Sequence, residues 1–433
     1  MLRASFDALP RTPMKLRHAI AVALLCGYGT NALAYDLLND WPTKWKPAEG
    51  YEFGIKGLYQ YDYNSFSGDT TNPTNGAELL PDANAWRRKE FNVYGKLPGG
   101  WDFNIGYDFT VSGFKTTPSG AGVHGKWIDN FVRYSNKEAG DFRIGQFKTP
   151  VGWEETISSS ATTFMERALP VQAVNMDRRI GADWTYTGIP NWLLYLAYFK
   201  GGDLNGDNDG DGPAGRVVWN PFNRQPGAGS REESNVLHLG LAYSTEDRDA
   251  TTDGAGRVTN PAARFRARPE AGLTNRLVDS GNLAFPGTIK RLGLEAAWIH
   301  GPLLVQGEYL TADADPKGKP SYSADGYYVQ GSWVLTGESR PYSKGTIGNV
   351  RPVHDYGAFE VAVRYSSVDL NDGPVYGGKE DDWTIGANWY LGQHFKLQAN
   401  YIFASTTKRY GAPINGDADV DPRVFEMRAQ IMF

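Results

Sequence analysis

Three arginines at alternate positions are the residues of this chain with the clearest chemical potential. Arg264, Arg266 and Arg268 lie in the run Ala263-Arg-Phe-Arg-Ala-Arg-Pro269. In an extended segment residues two apart share one face, with steps of about 6.6 Å. A guanidinium is always charged and offers a planar fork of donors that suits oxyanions. The row could therefore pass an anion from one donor to the next, although an ordinary basic loop or ion pairing with Glu270 would explain it as well.

A second constellation is rich in carboxylates. Asp203, Asn205, Asp207, Asp209 and Asp211 alternate in a glycine-rich stretch that begins like a calcium loop. The closing position is Arg216, where such a loop needs a bidentate glutamate. A hydrated external loop is the favoured interpretation of residues 203–211, and weak calcium binding is the alternative.

Other site chemistry is not indicated. The histidines that follow the N-terminal segment are scattered without metal-ligand spacing. Glycine pairs lack the strand-helix context of a phosphate-binding loop, and no local Ser-His or acidic catalytic set is apparent. The sequence therefore predicts no metal, no cofactor, no nucleic-acid partner and no enzymatic activity.

The N-terminus has the pattern of a secretory signal. Basic Met14-Lys-Leu-Arg17 is followed by the apolar stretch 19–29 and by Ala32-Leu-Ala34, a small-x-small cleavage motif. We expect residues 1–34 to be a signal peptide, with Met14 as a possible start; a buried N-terminal helix is the alternative. Cys26 lies inside this segment, so the mature chain can form no disulfide.

Strand-like alternation dominates the rest of the chain. In 101–111 and 381–391 apolar and polar residues alternate, and a two-residue turn at Gly392-Gln393 leads into a further alternating run, 394–404. No other segment approaches 18 consecutive apolar residues, which excludes helical membrane spans. The mean hydropathy of −0.47 is compatible with a membrane barrel, because only alternate residues face lipid.

The runs predict an all-β fold, a transmembrane antiparallel β-barrel of about sixteen strands. Fifteen are visible, near 51–63, 86–97, 101–111, 126–135, 140–148, 180–187, 192–200, 234–244, 289–299, 302–311, 325–335, 355–367, 381–391, 394–404 and 422–433. Because bacterial single-chain barrels have even strand numbers, we expect one more, between 213 and 280. The 13 Trp and 24 Tyr, many at run ends, suit two interfacial girdles. Residues 35–50 are a lead-in, 51–433 form the barrel, and 64–85, 201–233 and 245–288 are loops.

The C-terminus is the most specific single feature. The last run alternates from Phe425 to Phe433 and ends on that phenylalanine. A final amphipathic strand ending in Phe resembles the signal read by the outer-membrane assembly machinery. This predicts location in the bacterial outer membrane, with its lipids and the assembly machinery as partners and Phe433 as the assembly signal.

Strand parity predicts which charges face the lumen, because Lys or Arg at the lipid midplane would cost about 2–4 kcal/mol. The inward basic residues are Lys56, Arg88, Lys96, Arg133, Arg143, Arg291, Arg364, Lys396 and Arg428. Inward acids are as numerous, so cross-wall pairing is expected for most. The formal net charge is −5, and it becomes −8 without the four basic and one acidic residues of 1–34. Selectivity nevertheless follows the local potential at a constriction.

Three further segments resemble the phosphate-selective porin O and P family. They are Trp86-Arg-Arg-Lys-Glu-Phe-Asn-Val-Tyr-Gly-Lys96, Arg143-Ile-Gly-Gln-Phe-Lys-Thr-Pro-Val-Gly152 and Phe164-Met-Glu-Arg-Ala-Leu169. The resemblance covers most of 50–433. It implies a sixteen-stranded trimeric barrel that passes phosphate, pyrophosphate or polyphosphate, with an arginine ladder leading to a constriction on a third loop folded into the pore.

The resemblance also implies roles for individual residues. Arg264, Arg266 and Arg268 match the alternating triplet of the ladder, and Arg87 and Arg88 resemble its adjacent pair. Arg167 resembles the constriction arginine, and either Lys148 or Lys126 would supply constriction lysine charge.

Together these observations predict an outer-membrane porin for passive diffusion of small anions, with inorganic phosphate or polyphosphate as the expected cargo. A general porin without phosphate preference is the main alternative. A barrel lipase or protease and a soluble periplasmic β-protein that binds carbohydrate are the others.

Overall fold

The barrel is closed and antiparallel in the computed structural model. The structure describes residues 38–433 apart from 72–75, 77, 111–124, 201, 207, 209, 226–233, 249–250, 253–257, 260–262, 285–286, 317, 319 and 408–418. The expected signal peptide, 1–34, lies outside the described residues. Residues 1–41 and 42–433 form two separate units, and the second contains the barrel.

Sixteen strands form the wall. They are β1 Glu52–Gly68, β2 Ala83–Leu97, β3 Trp101–Asp108, β4 Lys126–Asn136, β5 Gly140–Lys148, β6 Arg178–Tyr186, β7 Trp192–Phe199, β8 Gly212–Trp219, β9 Asn235–Arg248, β10 Gly287–His300, β11 Leu303–Asp315, β12 Tyr322–Val334, β13 Ala358–Asp372, β14 Val375–Leu391, β15 Phe395–Thr407 and β16 Pro422–Met432. Each pairs with its sequence neighbours, and β1 pairs with β16 from Leu58↔Met432 to Gly68↔Pro422. The predicted fold is confirmed.

Side chains alternate between lumen and lipid as the sequence predicts. On β10, Arg291 and Glu295 are buried inside the barrel, whereas Leu294 and Trp298 are 46% and 42% exposed on the outer face. Exposed tryptophans mark both ends of the apolar band. Trp101, Trp192, Trp219, Trp298 and Trp333 lie near one end, and Trp86, Trp127 and Trp383 lie toward the other.

The strand missing from the sequence analysis is β8. It lies within 213–280, where a further strand was expected, apart from its first residue. The interpretation of residues 201–233 as one continuous loop is wrong, because β8 interrupts this range. Gly212 and Gly215 occupy positions of β8, and because glycine has no side chain the alternation is hidden there. Its inward residues, Ala214, Arg216 and Val218, are buried.

Short and long connections sort to opposite ends of the barrel. We call the end that carries the turn Pro98–Gly100, a 3₁₀ turn, the turn end, and the opposite end the loop end. The third loop, 149–177, and the described residues 263–284 of the fifth loop enter the lumen from the loop end. A long connection at the turn end, 335–357, also folds inward; this strap was not anticipated from the sequence.

Apolar packing inside the lumen holds these segments in place. The third loop contains two short helices, α1 Trp153–Thr156 and α2 Leu169–Val174. Leu169 and Val171 are buried in one cluster with Phe265 and Ala267 of the fifth loop and with wall residues such as Ala312. Trp153 packs with Tyr342 and Ile347 of the strap. The prediction of a third loop folded into the pore is confirmed.

Minor elements complete the structure. Two-residue strands lie at Lys44–Trp45, Asn223–Arg224, Thr251–Thr252, Val258–Thr259, Arg266–Ala267, Val278–Asp279, Tyr342–Ser343 and Thr346–Ile347. The first of them, in the predicted lead-in, pairs with Phe53 and Gly54 of β1. Among the described residues, no helix has the length and apolar character needed to cross a bilayer.

The terminal phenylalanine closes the sheet. Its backbone exchanges hydrogen bonds with Gly57 of β1, at 3.0 and 3.1 Å. Its ring stacks on Tyr59, with ring centroids 6.2 Å apart, and lies against Gly57, where a Cβ would overlap it. Phe433 therefore completes the seam between the first and last strands.

Candidate functional site

A cavity of about 370 Å³ lies in the lumen near the loop end. One side is the wall from β2 to β6, and the other is formed by the third and fifth loops. Nine basic side chains line it: Arg87, Arg88, Lys126, Lys148, Arg167, Arg178, Arg266, Arg268 and Arg276. Six acids line it as well: Glu90, Asp108, Glu155, Glu166, Asp177 and Asp203. The lining thus has an excess of three positive charges, although the whole chain is acidic.

A β-bulge explains how two consecutive arginines reach this cavity. Gln60 pairs with Arg88 and Tyr61 pairs with Trp86, so Arg87 is the extra residue of β2. A bulge leaves its extra residue outside the ladder and can redirect its side chain. Without it, strict alternation would turn one of the two consecutive arginines toward lipid.

Arg87 holds the third loop. Its Nε and Nη2 donate to the Glu166 carboxylate at 2.8 and 2.9 Å, and Arg428 donates to the same carboxylate at 2.8 Å. Burial alone would raise the pKa of Glu166, but Arg87 and Arg428 hold it well below its usual value. Arg87 is therefore an anchor of the loop, whereas Arg88 contacts Gln60 and Glu90 on the cavity wall.

Arg167 and Lys148 meet at one carboxylate. Arg167 Nε lies 3.1 Å from one oxygen of Glu155, and Lys148 Nζ lies 3.1 Å from the other. Arg167 also donates to the carbonyl oxygens of Glu154 and Ile157 at 3.2 and 3.1 Å. These contacts place a lysine from β5 beside an arginine from the third loop.

The alternating triplet has the predicted two-faced character. Ala263, Phe265 and Ala267 are buried, and Phe265 stacks on Tyr322 with centroids 5.6 Å apart. Their intervening arginines are partly exposed, and Arg266 and Arg268 line the cavity.

Arg264 is the exception among the predicted residues, because it is not among the described residues that line the cavity. Its guanidinium makes a two-point ion pair with Asp279, at 2.7 and 2.6 Å. The alternative, in which the triplet pairs with Glu270, is wrong, because Arg264 pairs with Asp279. Glu270 instead accepts from Arg364 of β13 at 2.9 Å.

Two cavity arginines were missed by sequence reasoning. Arg276 lies in the fifth loop, eight positions beyond Arg268, outside the alternating pattern that drew attention to the triplet. Arg178 begins β6 and donates to Asp129 of β4 at 2.8 Å. The alternation of β6 would have identified Arg178 as an inward residue if the predicted strand had begun at residue 178 and not at residue 180.

The fifth-loop arginines experience one another's charge. Burial and then Arg87 lower the pKa of Arg268 to about 10. Burial and then Arg268 lower the pKa of Arg276 to about 9, and burial and then Arg264 lower the pKa of Arg266. With pKa values of about 9 and 10, Arg276 and Arg268 stay charged at pH 7. Several positive charges close together in a partly desolvated space favour a bound anion.

The described residues of the connection between β7 and β8, which is the fourth loop, contact the cavity rim. Asn205 Oδ1 accepts from the Trp127 backbone at 2.8 Å, and its Nδ2 donates back to the Trp127 carbonyl. Asp203 accepts from Asn205 and Asn208. Within the described part of the chain no group of three or more His, Cys, Asp or Glu could hold a metal. Asp207 and Asp209 of the calcium-like motif lie outside the described residues.

Toward the turn end, the lumen charges are largely compensated, as expected. Arg133 donates to Asp102 at 2.9 Å, and Arg428 donates to Asp62 at 2.7 and 2.6 Å. Lys56 lies over the Tyr94 ring, 4.5 Å from its centroid. Most wall charges are therefore structural partners.

The strap closes part of this end. Arg340 donates to both oxygens of Glu360 at 2.6 and 2.7 Å and to Ala161 of the third loop at 3.2 Å. Lys344 reaches across to Asp141 of β5 at 2.6 Å.

Sequence comparison agrees with this geometry. Residues 53–433 match the family described as phosphate-selective porin O and P. The chain belongs to this family. Porin O of Pseudomonas aeruginosa is 29% identical over 424 residues, which cover 88% of this chain and 89% of that protein.

Two solved barrels share the fold. The outer-membrane channel DcaP of Acinetobacter baumannii has a TM-score of 0.52 at 10% identity and covers 90% of this chain and 100% of its own. A trimer form of OmpT from Vibrio cholerae has a TM-score of 0.52 at 11% identity, with coverages of 89% and 100%. This family member is an outer-membrane porin of the bacterial cell.

Proposed function

We propose that this porin passes small anions by diffusion, with phosphate or polyphosphate preferred, through the cavity between the third and fifth loops. The excess of cationic over anionic side chains in the cavity lining carries the proposal. Family membership and the likeness to Porin O support a phosphate preference. A channel, rather than an enzyme, is the activity that this lining suits.

The cavity residues would act in sequence. Arg266, Arg268 and Arg276 of the fifth loop meet the anion first and offer several weak sites, because one tight site would trap it. Arg88, Lys148 and Arg167 then form the narrow part of the path. Lys126 contributes charge at the rim, whereas Arg87 acts through its hold on Glu166, and Arg264 acts through the fold of the fifth loop.

A guanidinium suits phosphate better than chloride, because its planar fork can donate to two oxygens at once. Local potential at the constriction decides selectivity, so a porin with an acidic exterior can still favour anions.

Planar-bilayer recordings test the proposal. We expect reversal potentials that favour Cl⁻ over K⁺, and a chloride current that added phosphate blocks. Replacing Arg264, Arg266 and Arg268 with Ala should slow anion capture, whereas Arg167→Ala should chiefly weaken the phosphate block. A wild-type channel that prefers K⁺ would refute the anion proposal, and one that favours Cl⁻ but ignores phosphate would be a general anion porin.

We further propose that the protein is a homotrimer whose signal peptide, residues 1–34, is removed on export. The trimer form of the structurally similar OmpT supports the assembly, and the N-terminal pattern supports the processing. The outer-membrane assembly machinery would recognise the last strand and Phe433.

A further inference from the structure

The cavity contains an acid in the position that an anion would be expected to take. Both oxygens of Glu155 are engaged by cations of the proposed constriction, Lys148 and Arg167, each at 3.1 Å. The Glu155 side chain is only 7% exposed, and those of Lys148 and Arg167 are 20% and 15% exposed. The carboxylate thus bridges a lysine of the wall and an arginine of the third loop.

This position is fixed by the backbone. Glu155 lies in α1, and the amides of Trp153 and Glu154 donate to the carboxylate of Glu308 on β11. Arg167 is tied to carbonyl oxygens of the same turn. The acid and its two cations are therefore held independently of any cargo.

We propose that Glu155 is a specificity-determining residue, a resident carboxylate that competes with the passing anion for Lys148 and Arg167. This inference rests on the proposed function. A carboxylate and a phosphate accept the same charge-assisted hydrogen bonds. An anion that reaches these two cations must displace Glu155 or share them with it.

The consequence is weak, rapidly reversible binding. Conduction requires that an anion is attracted strongly enough to enter and held weakly enough to leave. When the anion departs, Glu155 re-forms both ion pairs, so the cations never remain desolvated and unpaired. Glu155 therefore lowers the affinity of the constriction for the anion and raises the rate at which the anion passes.

Glu155→Gln tests the proposal, because it keeps the shape of the side chain and removes the competing charge. We expect the phosphate concentration for half-block of the chloride current to fall roughly tenfold, the scale of one charge-assisted hydrogen bond. Phosphate flux in liposome-swelling assays should fall, because release becomes slower. Asp313→Asn is the charge-matched control: Asp313 lies on the outer face of β11 and bonds Ser323, so half-block should change less than twofold.

A double-mutant cycle separates local competition from a general change of potential. In a Lys148→Gln background the effect of Glu155→Gln should shrink, because one of the two contested cations is gone. An equal effect in both backgrounds would overturn the proposal. If Glu155→Gln fails to assemble, Glu155→Asp replaces it: the shorter carboxylate cannot bridge both cations, and half-block should fall by a smaller factor.

The two proposals fail in different ways. If phosphate blocks the wild-type current and neither Glu155 variant tightens the block, the proposal that Glu155 competes with the anion is wrong, and the proposed function as an anion porin is retained. If wild type and Glu155→Gln both prefer K⁺, the proposed function is wrong, and the proposal for Glu155 is wrong as well because it rests on that function.

Discussion

The basic side chains of this porin form two groups: those buried in ion pairs and those available to an anion. The partners of each side chain decide to which group it belongs. Arg428, Arg364 and Arg340 are buried against carboxylates. Removing one member of such a pair costs several kcal/mol, because the other charge remains buried. Arg266, by contrast, makes no hydrogen bond or ion pair with another described side chain, so it is available to an anion. Charge type alone does not separate these groups.

Gly57 provides a residue-scale prediction. A Cβ at this position would overlap the Phe433 ring, so Gly57→Ala should displace the terminal phenylalanine. We expect a loss of about 1–3 kcal/mol of stability, the usual cost of overpacking, and slower folding into detergent micelles.

Gly331→Ala is the matched control, because a Cβ there meets only the Leu304 carbonyl oxygen, at 3.9 Å. Wild-type folding and stability of Gly57→Ala would show that the ring position does not matter.

At the scale of elements, the third loop is fixed from two sides. The wall holds it through Glu308 and Arg364, and the strap holds it through Arg340. The fifth loop then packs on α2 through Phe265 and Ala267. The constriction is therefore a product of three inserted segments, and its diameter depends on contacts between them.

Arg340 provides the prediction at this scale. Arg340→Met removes the cation that neutralises Glu360 and holds Ala161. We expect about 3–5 kcal/mol lower stability and larger, noisier single-channel currents as the strap and third loop loosen. The double variant Arg340→Met with Glu360→Gln should recover much of the stability, because the buried charge is removed as well.

Lys344→Met is the comparison within the same strap. Its pair with Asp141 has a half-exposed lysine, and exposed pairs contribute about 0–1 kcal/mol. Equal effects of Lys344→Met and Arg340→Met on stability and conductance would contradict this account of the strap.

For the whole molecule, closure of the sheet and membrane insertion are linked through the last strand. β16 pairs with both β15 and β1, so every interior strand edge is satisfied, as lipid requires. Closure also forces most lumen charges into proximity, and most of them pair. Among the described residues, the lining of the cavity between the third and fifth loops keeps an excess of basic side chains, which is how an acidic chain can have a cationic path.

Deletion of Phe433 tests assembly at this scale. We expect wild type to run as a heat-modifiable trimer in gel electrophoresis and the deletion variant to give little of this form in outer-membrane fractions. The physical reason is that the seam loses both backbone hydrogen bonds to Gly57. Normal membrane levels and heat-modifiability of the deletion variant, or detergent-free solubility of wild type, would contradict the prediction.

The sequence by itself determined the barrel and the alternation of inward and outward side chains along its strands. Alternation is a property of neighbouring residues, so it can be read without knowing what lies opposite, and a membrane wall enforces it at each position. That is why the strands and the shared face of the three arginines around Phe265 were predicted, whereas the inserted third loop was expected only from the resemblance to a known family. The short β8, with its glycines and proline, is the one strand whose pattern was too weak.

Only the tertiary structure decided which basic residues reach the cavity. Arg264 pairs with Asp279, Arg87 faces inward through a bulge, and Arg276 and Arg178 join from positions without a pattern. The inward fold of the strap and the bridging position of Glu155 were likewise decided only by the tertiary structure. Such choices depend on partners far away in the chain that meet only when the barrel closes, and local periodicity contains no information about them.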